Sequence, residues 1–402
     1  MAYILENRQV PVWGEFDVIV CGGGVSGLAA AAAAARNGAS VLLLEKSIQL
    51  GGLATLGLIS WFEPLCDGRG KRIVGGIPKE MFDLCVDCGI HSLDPKWISQ
   101  PDGNDSTQRC STHFSHSMFA LVLDRWLLET GVQVLFDTVV TAADLQEDRI
   151  QGIFVENKDG RGYYRASMVV DATGDADIAK FCGIECEDGI NYLTHIAYYT
   201  SLQHAATAAK QENMLYARSW RNSGADLWGK GHPEDQPLYI GINAKEQTRF
   251  VLEGRKRLLT TLQAVPAQQR DLYCLPGMAQ YRKSRRILGE YTLTEADCGK
   301  RFEDAIGIVG DFARPGDVYE LPYRTLYHRS VANLYVTGRC ISSTGWAWDV
   351  TRVIPAAAAT GQAAGLACVL CVRENCQNSS LPVAALQQML KNAGVRLHIN
   401  EE

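Results

Sequence analysis

The spacing of apolar and polar positions changes several times along the chain, and each change predicts an element. Residues 16–21 (FDVIVC) form a short β-branched apolar run suited to a buried strand, and they lead directly into Gly22-Gly23-Gly24-Val25-Ser26-Gly27. An alanine-rich stretch follows, which predicts a helix ending at Gly38, where a positive φ is cheap. Residues 40–44 (SVLLL) read as a second parallel strand with Glu45 at its carboxyl end. Farther on, 117–129 has helical spacing with Gly131 as its stop, and 132–136 reads as a third parallel strand. Alternating segments around Val139, at 150–156 and at 163–167 predict a β-meander that 168–171 closes onto the main sheet. Residues 333–337 form another strand, and Pro355 suits the first turn of a helix running through Gly361, Ala363 and Gly365. Strands alternating with helices predict an α/β fold: a Rossmann-like domain with a parallel sheet and β-meander, plus a smaller α+β domain.

G-x-G-x-x-G between a strand and a helix has a physical use. Gly22 permits the tight turn, Gly24 lets backbone approach a pyrophosphate, and Gly27 lets the helix pack closely on the strand. The helix start at Val25 and Ser26 offers unpaired N–H groups and the positive end of a dipole to phosphate. Glu45 stands 18 residues beyond Gly27, where a carboxylate accepts hydrogen bonds from ribose hydroxyls and repels a 2′-phosphate. Glycine-rich loops often serve only as turns. Here strand, glycines, helix and acid fall in register, which points to an adenine dinucleotide. Gly51 and Gly52 supply a second site of close backbone approach, as an extended dinucleotide needs.

With that second glycine pair the sequence resembles the FAD-dependent oxidoreductases of the glutathione-reductase and fumarate-reductase type. Four further segments resemble the bacterial fumarate-reductase flavoprotein-like branch. They are GGLATLGLISWF at 51–62, VVDATGDADIAKFCG at 169–183, YRKSRRILGEYTLTEAD at 281–297, and the stretch 321–367 containing NLYVTGR and VIPAAAATGQAAGLA. The resemblance implies FAD, held by Gly22, Gly24, Val25, Ser26, Gly27, Glu45, Lys46, Gly51, Gly52, Ala54, Thr55 and Val139. It also implies contacts from the turn Ala172-Thr173-Gly174, from Gly338 and Arg339 near the ribityl chain or pyrophosphate, and from the helix carrying Gly361 and Ala363. That helix would aim its N-terminus at the flavin N1 and C2 carbonyl, stabilising negative charge on the reduced ring. The same turn also serves as an ordinary strand-to-helix connection, and a Pro-led alanine helix also serves simple packing.

On the substrate side, Arg282, Arg285 and Arg286 lie at i, i+3 and i+4, so a helix would place them on one face as an anion clamp. A solvated basic face is the competing reading. Arg324, Trp346 and Trp348 flank the flavin segment as candidate pocket walls. Arg285, Arg352, Asp349 and His195 are the candidate catalytic groups, with Asp349 and His195 as proton carriers. The expected division is a discontinuous FAD-binding domain of 1–80, 117–185 and 321–375, and a substrate domain of 186–320. Residues 81–116 form an insertion and 376–402 a C-terminal helical segment. Function reads as hydride transfer between a small molecule and the flavin, with the electron acceptor and oligomeric state unassigned. A flavin monooxygenase, which lacks here a second G-x-G-x-x-G for NAD(P)H, and a non-catalytic dinucleotide-binding protein are the alternatives.

Composition narrows the partners. A formal charge of -6 gives no basic field for nucleic acid or anionic lipid. The first nine residues are too polar for a signal peptide, and 28–35 reads as the longest apolar stretch, so neither export nor membrane insertion is expected. Thirteen scattered cysteines suit a reducing cytoplasm. Cys85, Cys88, Cys110, His113 and His116 form a C-x-x-C…C-x-x-H-x-x-H series with metal-ligand spacing. Because Cys85 and Cys88 fall in an apolar helical stretch, where free cysteines act as small hydrophobes, no metal is expected.

Overall fold

The computed structural model describes residues 9–99 and 109–400; the expectations about the extreme N-terminus and residues 100–108 and 401–402 lie outside them. A seven-stranded sheet forms the centre. Val41–Leu44 and Gly160–Asp171 flank Val12–Cys21 in parallel, and Gln133–Leu135 extends one edge in parallel. Arg149–Asn157 and Val139–Gln146 extend the other edge as an antiparallel meander. One edge of Gly160–Asp171 serves two partners: residues 160–165 pair with the meander and 169–171 pair in parallel with Leu334–Val336. The first strand starts at Val12, ahead of the predicted Phe16, because its early residues pair with 163–166.

Both faces of the sheet are covered, which is why all four residues of Val41–Leu44 are buried and show no alternation. Val18, Val20, Leu43 and Val170 face one core, which contains the helices Val25–Arg36 and Ile354–Glu374. Ile19, Leu42, Leu44 and Val169 face the other, with the short helix Asp177–Phe181. Gly361 and Gly365 lie against Ser26 and Ala30, where any Cβ would collide with backbone. The two helices therefore touch backbone to backbone. Ile354–Glu374 also corrects the expectation that 28–35 is the longest apolar stretch. It is the one described helix long and apolar enough to cross a bilayer, and 89% of its most apolar window is buried inside the protein. Its apolar surface is core surface.

The smaller region carries a three-stranded antiparallel sheet, Ser219–Asn222, Ile196–Ser201 and Arg270–Cys274. The helix Ala244–Leu262 packs on it through Leu258 and Leu262 against Ala197. The hairpin Ala305–Gly310 and Val318–Pro322, together with Phe82, Cys85, Trp97 and Phe114, joins the main core.

Candidate functional site

Two adjoining clefts open where the parallel strands end, as ligand sites do in sheets of this kind. The first, of about 460 Å³, is lined by the glycine loop, Glu45, Lys46, Gly51, Gly52, Ala54, Val139, Ala172, Thr173, Gly174, Gly338 and Arg339. Gly22 sits at φ 112°, and a Cβ there would strike the Ala172 carbonyl; one at Gly27 would strike the Gly22 carbonyl. A Cβ at Gly24 would meet nothing within 4 Å, so Gly24 presents bare backbone to open space. Gly51 packs on this loop, donating its N–H to the Gly23 carbonyl at 2.8 Å. Glu45 accepts from the backbone N–H of Gly23 and of Ser47, each at 2.7 Å. Those bonds aim the carboxylate and leave lone pairs for hydroxyls.

Other expected cofactor residues sit behind the wall. Thr55 is fully buried and donates to the Leu50 carbonyl. Gly361 and Ala363 lie within the core, where Gly361 sets the helix–helix approach. Only the start of that helix, at Ile354 and Ala357, reaches the cleft. Arg339 is paired with Asp175 at 2.8 Å, and its Nε donates to the Gly174 carbonyl. Its charge is largely spent within the protein. Asp177, also on this cleft, is pushed up to about 6 by burial and by the charges of Asp171 and Asp175.

The second cleft, of about 440 Å³, shares Leu53, Ala54, Arg339, Arg352 and Ile354 with the first. Trp61, Trp220 and Phe312 form apolar walls, and Glu63, His113 and Arg282 are its other ionisable groups besides Tyr281. Burial and then the like charge of Arg352 lower Arg282 to about 10. Burial lowers His113 to about 4, so it is neutral at ordinary pH.

A family model described as FAD dependent oxidoreductase matches residues 17–192 and 198–390. The chain belongs to the FAD-dependent oxidoreductase family. A digeranylgeranylglycerophospholipid reductase of Methanosphaerula palustris is 26% identical over 202 residues, 46% of this chain and 45% of that one. Protein FixC of Salmonella typhi is 26% identical over 329 residues, 74% and 70% of the two chains. The match to the archaeal reductase thus spans a little under half of that relative's length. Among solved structures, p-nitrophenol 4-monooxygenase PnpA from Pseudomonas putida DLL-E4 matches with TM-score 0.49 at 13% identity, over 96% and 90% of the chains. A geranylgeranyl bacteriochlorophyll reductase-like protein from Thermoplasma acidophilum matches with TM-score 0.44 at 14% identity, over 95% and 82%.

This FAD-dependent oxidoreductase is therefore an enzyme, and the reading as a non-catalytic dinucleotide-binding protein falls away. Its first cleft fits the cofactor: a side-chain-free floor at Gly24, a carboxylate beside it, and a helix start at the shared wall.

The enzyme's substrate-side residues are arranged differently from the helical expectation. Residues 281–284 form no helix, and Arg285–Ile287 is a strand paired with Cys186–Asp188. Arg285 lies opposite Asp188 and Arg286 opposite Glu187, so cross-strand charge pairing decides this segment. Of the three arginines only Arg282 reaches a cleft. Arg324 is held by Asp304 at 2.9 Å, away from both clefts. Trp346 stacks on Trp228 at 5.2 Å, and Trp348 donates to the Arg339 carbonyl; neither forms a cleft wall. Asp349 is buried between Lys283 at 2.6 Å and Arg352 at 2.9 Å, where it positions Arg352. His195 lies against Gly254, outside both clefts, and burial lowers it to about 4.

The metal-spaced series is dispersed. Cys85 donates to the Phe82 carbonyl, Cys88 to the Cys85 carbonyl, His113 packs on Trp61 and His116 stacks on Tyr198. Among the described residues no group of three or more His, Cys, Asp or Glu is placed to hold a metal ion. The missed site residues are Trp61, Glu63, Trp220, Gln280 and Phe312. Glu63 stands directly after the 51–62 segment, which is the one signal that marked it. Gln280 ties the two regions together, accepting from Ile196 N–H and donating to the carbonyls of Gly57 and Ile196.

Proposed function

We propose that the enzyme moves a hydride between a small molecule in the Arg282–Arg352 cleft and FAD in the glycine-lined cleft. One observation carries this reading: the clefts share Leu53, Ala54, Arg339, Arg352 and Ile354, so a substrate in one borders a cofactor in the other. FAD supplies a two-electron donor or acceptor when bound. Gly22, Gly24, Gly51 and Gly52 would take the diphosphate on backbone, Glu45 would take ribose hydroxyls, and the helix start at Ile354 would stabilise negative charge on the reduced ring. Arg352, aimed by Asp349, orients the substrate.

The division into an FAD-binding domain of 1–80, 117–185 and 321–375 and a substrate domain of 186–320 belongs to the same proposal. So does the fumarate-reductase-like branch, which rests on the four segments quoted above. A cytoplasmic location is supported by thirteen cysteines without a disulfide.

Purified protein should be yellow and should bleach anaerobically with one class in a metabolite panel. Arg352→Ala should keep the flavin and bleach about 100-fold more slowly. Yellow protein that no metabolite bleaches, or an unchanged rate in the variant, overturns the reading.

A further inference from the structure

Within the substrate cleft the charges do not balance. Arg339 is matched by Asp175, and Arg352 by Asp349. Arg282 donates its Nη1 to the neutral Thr194 hydroxyl at 2.9 Å and forms no ion pair among the described residues; Asp349, already bonded to Lys283 and Arg352, and Asp226 act on it only through their longer-range charge. A guanidinium taken out of water without a directly bonded counter-charge is costly, so the position favours an arriving anion. Trp61, Trp220 and Phe312 bring three aromatic rings to the same cleft, which suit a flat apolar body between the polar groups. Glu63 is the sole carboxylate among the described residues that line it.

We infer that the cleft is built for a flat, apolar carboxylate seated on Arg282, with Glu63 as the group that takes up or returns the reaction's proton. This rests on the assignment of the two clefts to substrate and cofactor. In the oxidative direction a substrate C–H bond breaks and both of its electrons leave with the hydrogen to FAD. The neighbouring O–H or N–H bond breaks and its proton passes to Glu63, while the C=O or C=N bond forms. The substrate is oxidised and FAD reduced; reversal returns the proton from Glu63.

The surroundings of Glu63 suit that exchange. Burial pushes its carboxyl up, while a hydrogen bond from Trp61 and the charges of Arg109 and Arg352 pull against the rise. The net effect is a carboxyl that holds a proton somewhat more readily than an ordinary one, which suits a group that takes up and returns it. His113, beside it, is held neutral by burial and by Arg218 and does not compete as a base near neutrality once ligand is bound. Arg282 and Arg339 complete the charged groups of the cleft.

Benzoate is the probe, with benzamide as the neutral isostere, added to flavin-loaded enzyme and read by tryptophan fluorescence and the flavin spectrum. Benzoate should bind more tightly than benzamide, and its affinity should fall as pH rises through the Glu63 titration, because an ionised Glu63 repels it. Glu63→Gln should bind benzoate with no such pH dependence. Arg282→Met should weaken benzoate about 100-fold and leave benzamide unchanged. Arg282→Lys, which keeps the charge and loses the planar fork, should fall between. Flavin content reports folding in every variant. Equal binding of benzoate and benzamide, or a pH dependence that survives in Glu63→Gln, overturns the inference. Should these hold in enzyme whose flavin no metabolite bleaches, the hydride-transfer reading fails and the carboxylate site stands.

Discussion

The two clefts that meet at Arg352 are made from different materials. The cofactor side is backbone: Gly22, Gly24, Gly51 and Gly52 bring main chain to the cleft, Gly27 lets the loop close on the Gly22 carbonyl behind it, and Gly361 and Gly365 let one helix rest on another. Space there is set by what is missing, so almost any added atom closes it. The substrate side is side chain: tryptophans, arginines, one glutamate and one neutral histidine, drawn from strands and loops far apart in the chain. Its shape can change residue by residue without touching the fold. Selection for a new substrate can therefore act on the second cleft while the first stays as it is.

The sharpest break in that contrast is Gly361→Val. Its side chain would enter the Ser26 backbone, so unfolding free energy should drop by about 3 kcal/mol and flavin should be lost on gel filtration. A variant that keeps its flavin and melting temperature would show that the helix contact has slack. Acid should act next, and on the other region. His113, His116 and His195 are each lowered to about 4 by burial against an ordinary value of 6.5. Between those values the unfolded chain binds protons that the folded chain refuses, so stability is present above pH 6.5 and is lost as pH falls toward 4. Hydrogen exchange should open the Ile196–Ser201 sheet first under these conditions, and uniform opening would blur the division.

Smaller effects sharpen the same comparison. Asp177, raised to about 6, adds negative charge to the cofactor cleft only above that pH. Asp177→Asn should retain flavin a few-fold better at pH 8 and no better at pH 5, measured by equilibrium dialysis. Arg285→Ala should change least. Its partner is the half-exposed Asp188 at 3.4 Å, away from both clefts, so bleaching rate and flavin content should stay within about twofold of the parent.

Legibility in the sequence follows the same line. A backbone-built site must announce itself, because glycine spacing, an alanine helix and an acid at a strand end are local patterns that seldom coincide in register unless a dinucleotide requires them. Gly22, Gly24, Glu45, Gly51 and the 172–174 turn all line the first cleft. The side-chain site has no such grammar. Glu63, Trp220 and Phe312 come together only through tertiary packing; Glu63 borders the 51–62 segment, while Trp220 and Phe312 have no neighbour in sequence that reveals them. The run at 282–286 misled because spacing of i, i+3 and i+4 also fits a strand when acids wait opposite, as Glu187 and Asp188 do. Thr55, Gly361 and Ala363 show a subtler limit: a motif marks the segment that serves the cofactor, without separating the residues that touch it from those that hold the segment in place.

The helix Ile354–Glu374 rests on Val25–Arg36, more than three hundred positions earlier. During synthesis the glycine loop emerges early, yet the opposite wall of its cleft leaves the ribosome only after all of that intervening chain has been made. Flavin loading is consequently a late event, and a product stalled before this helix has nowhere complete to keep the cofactor.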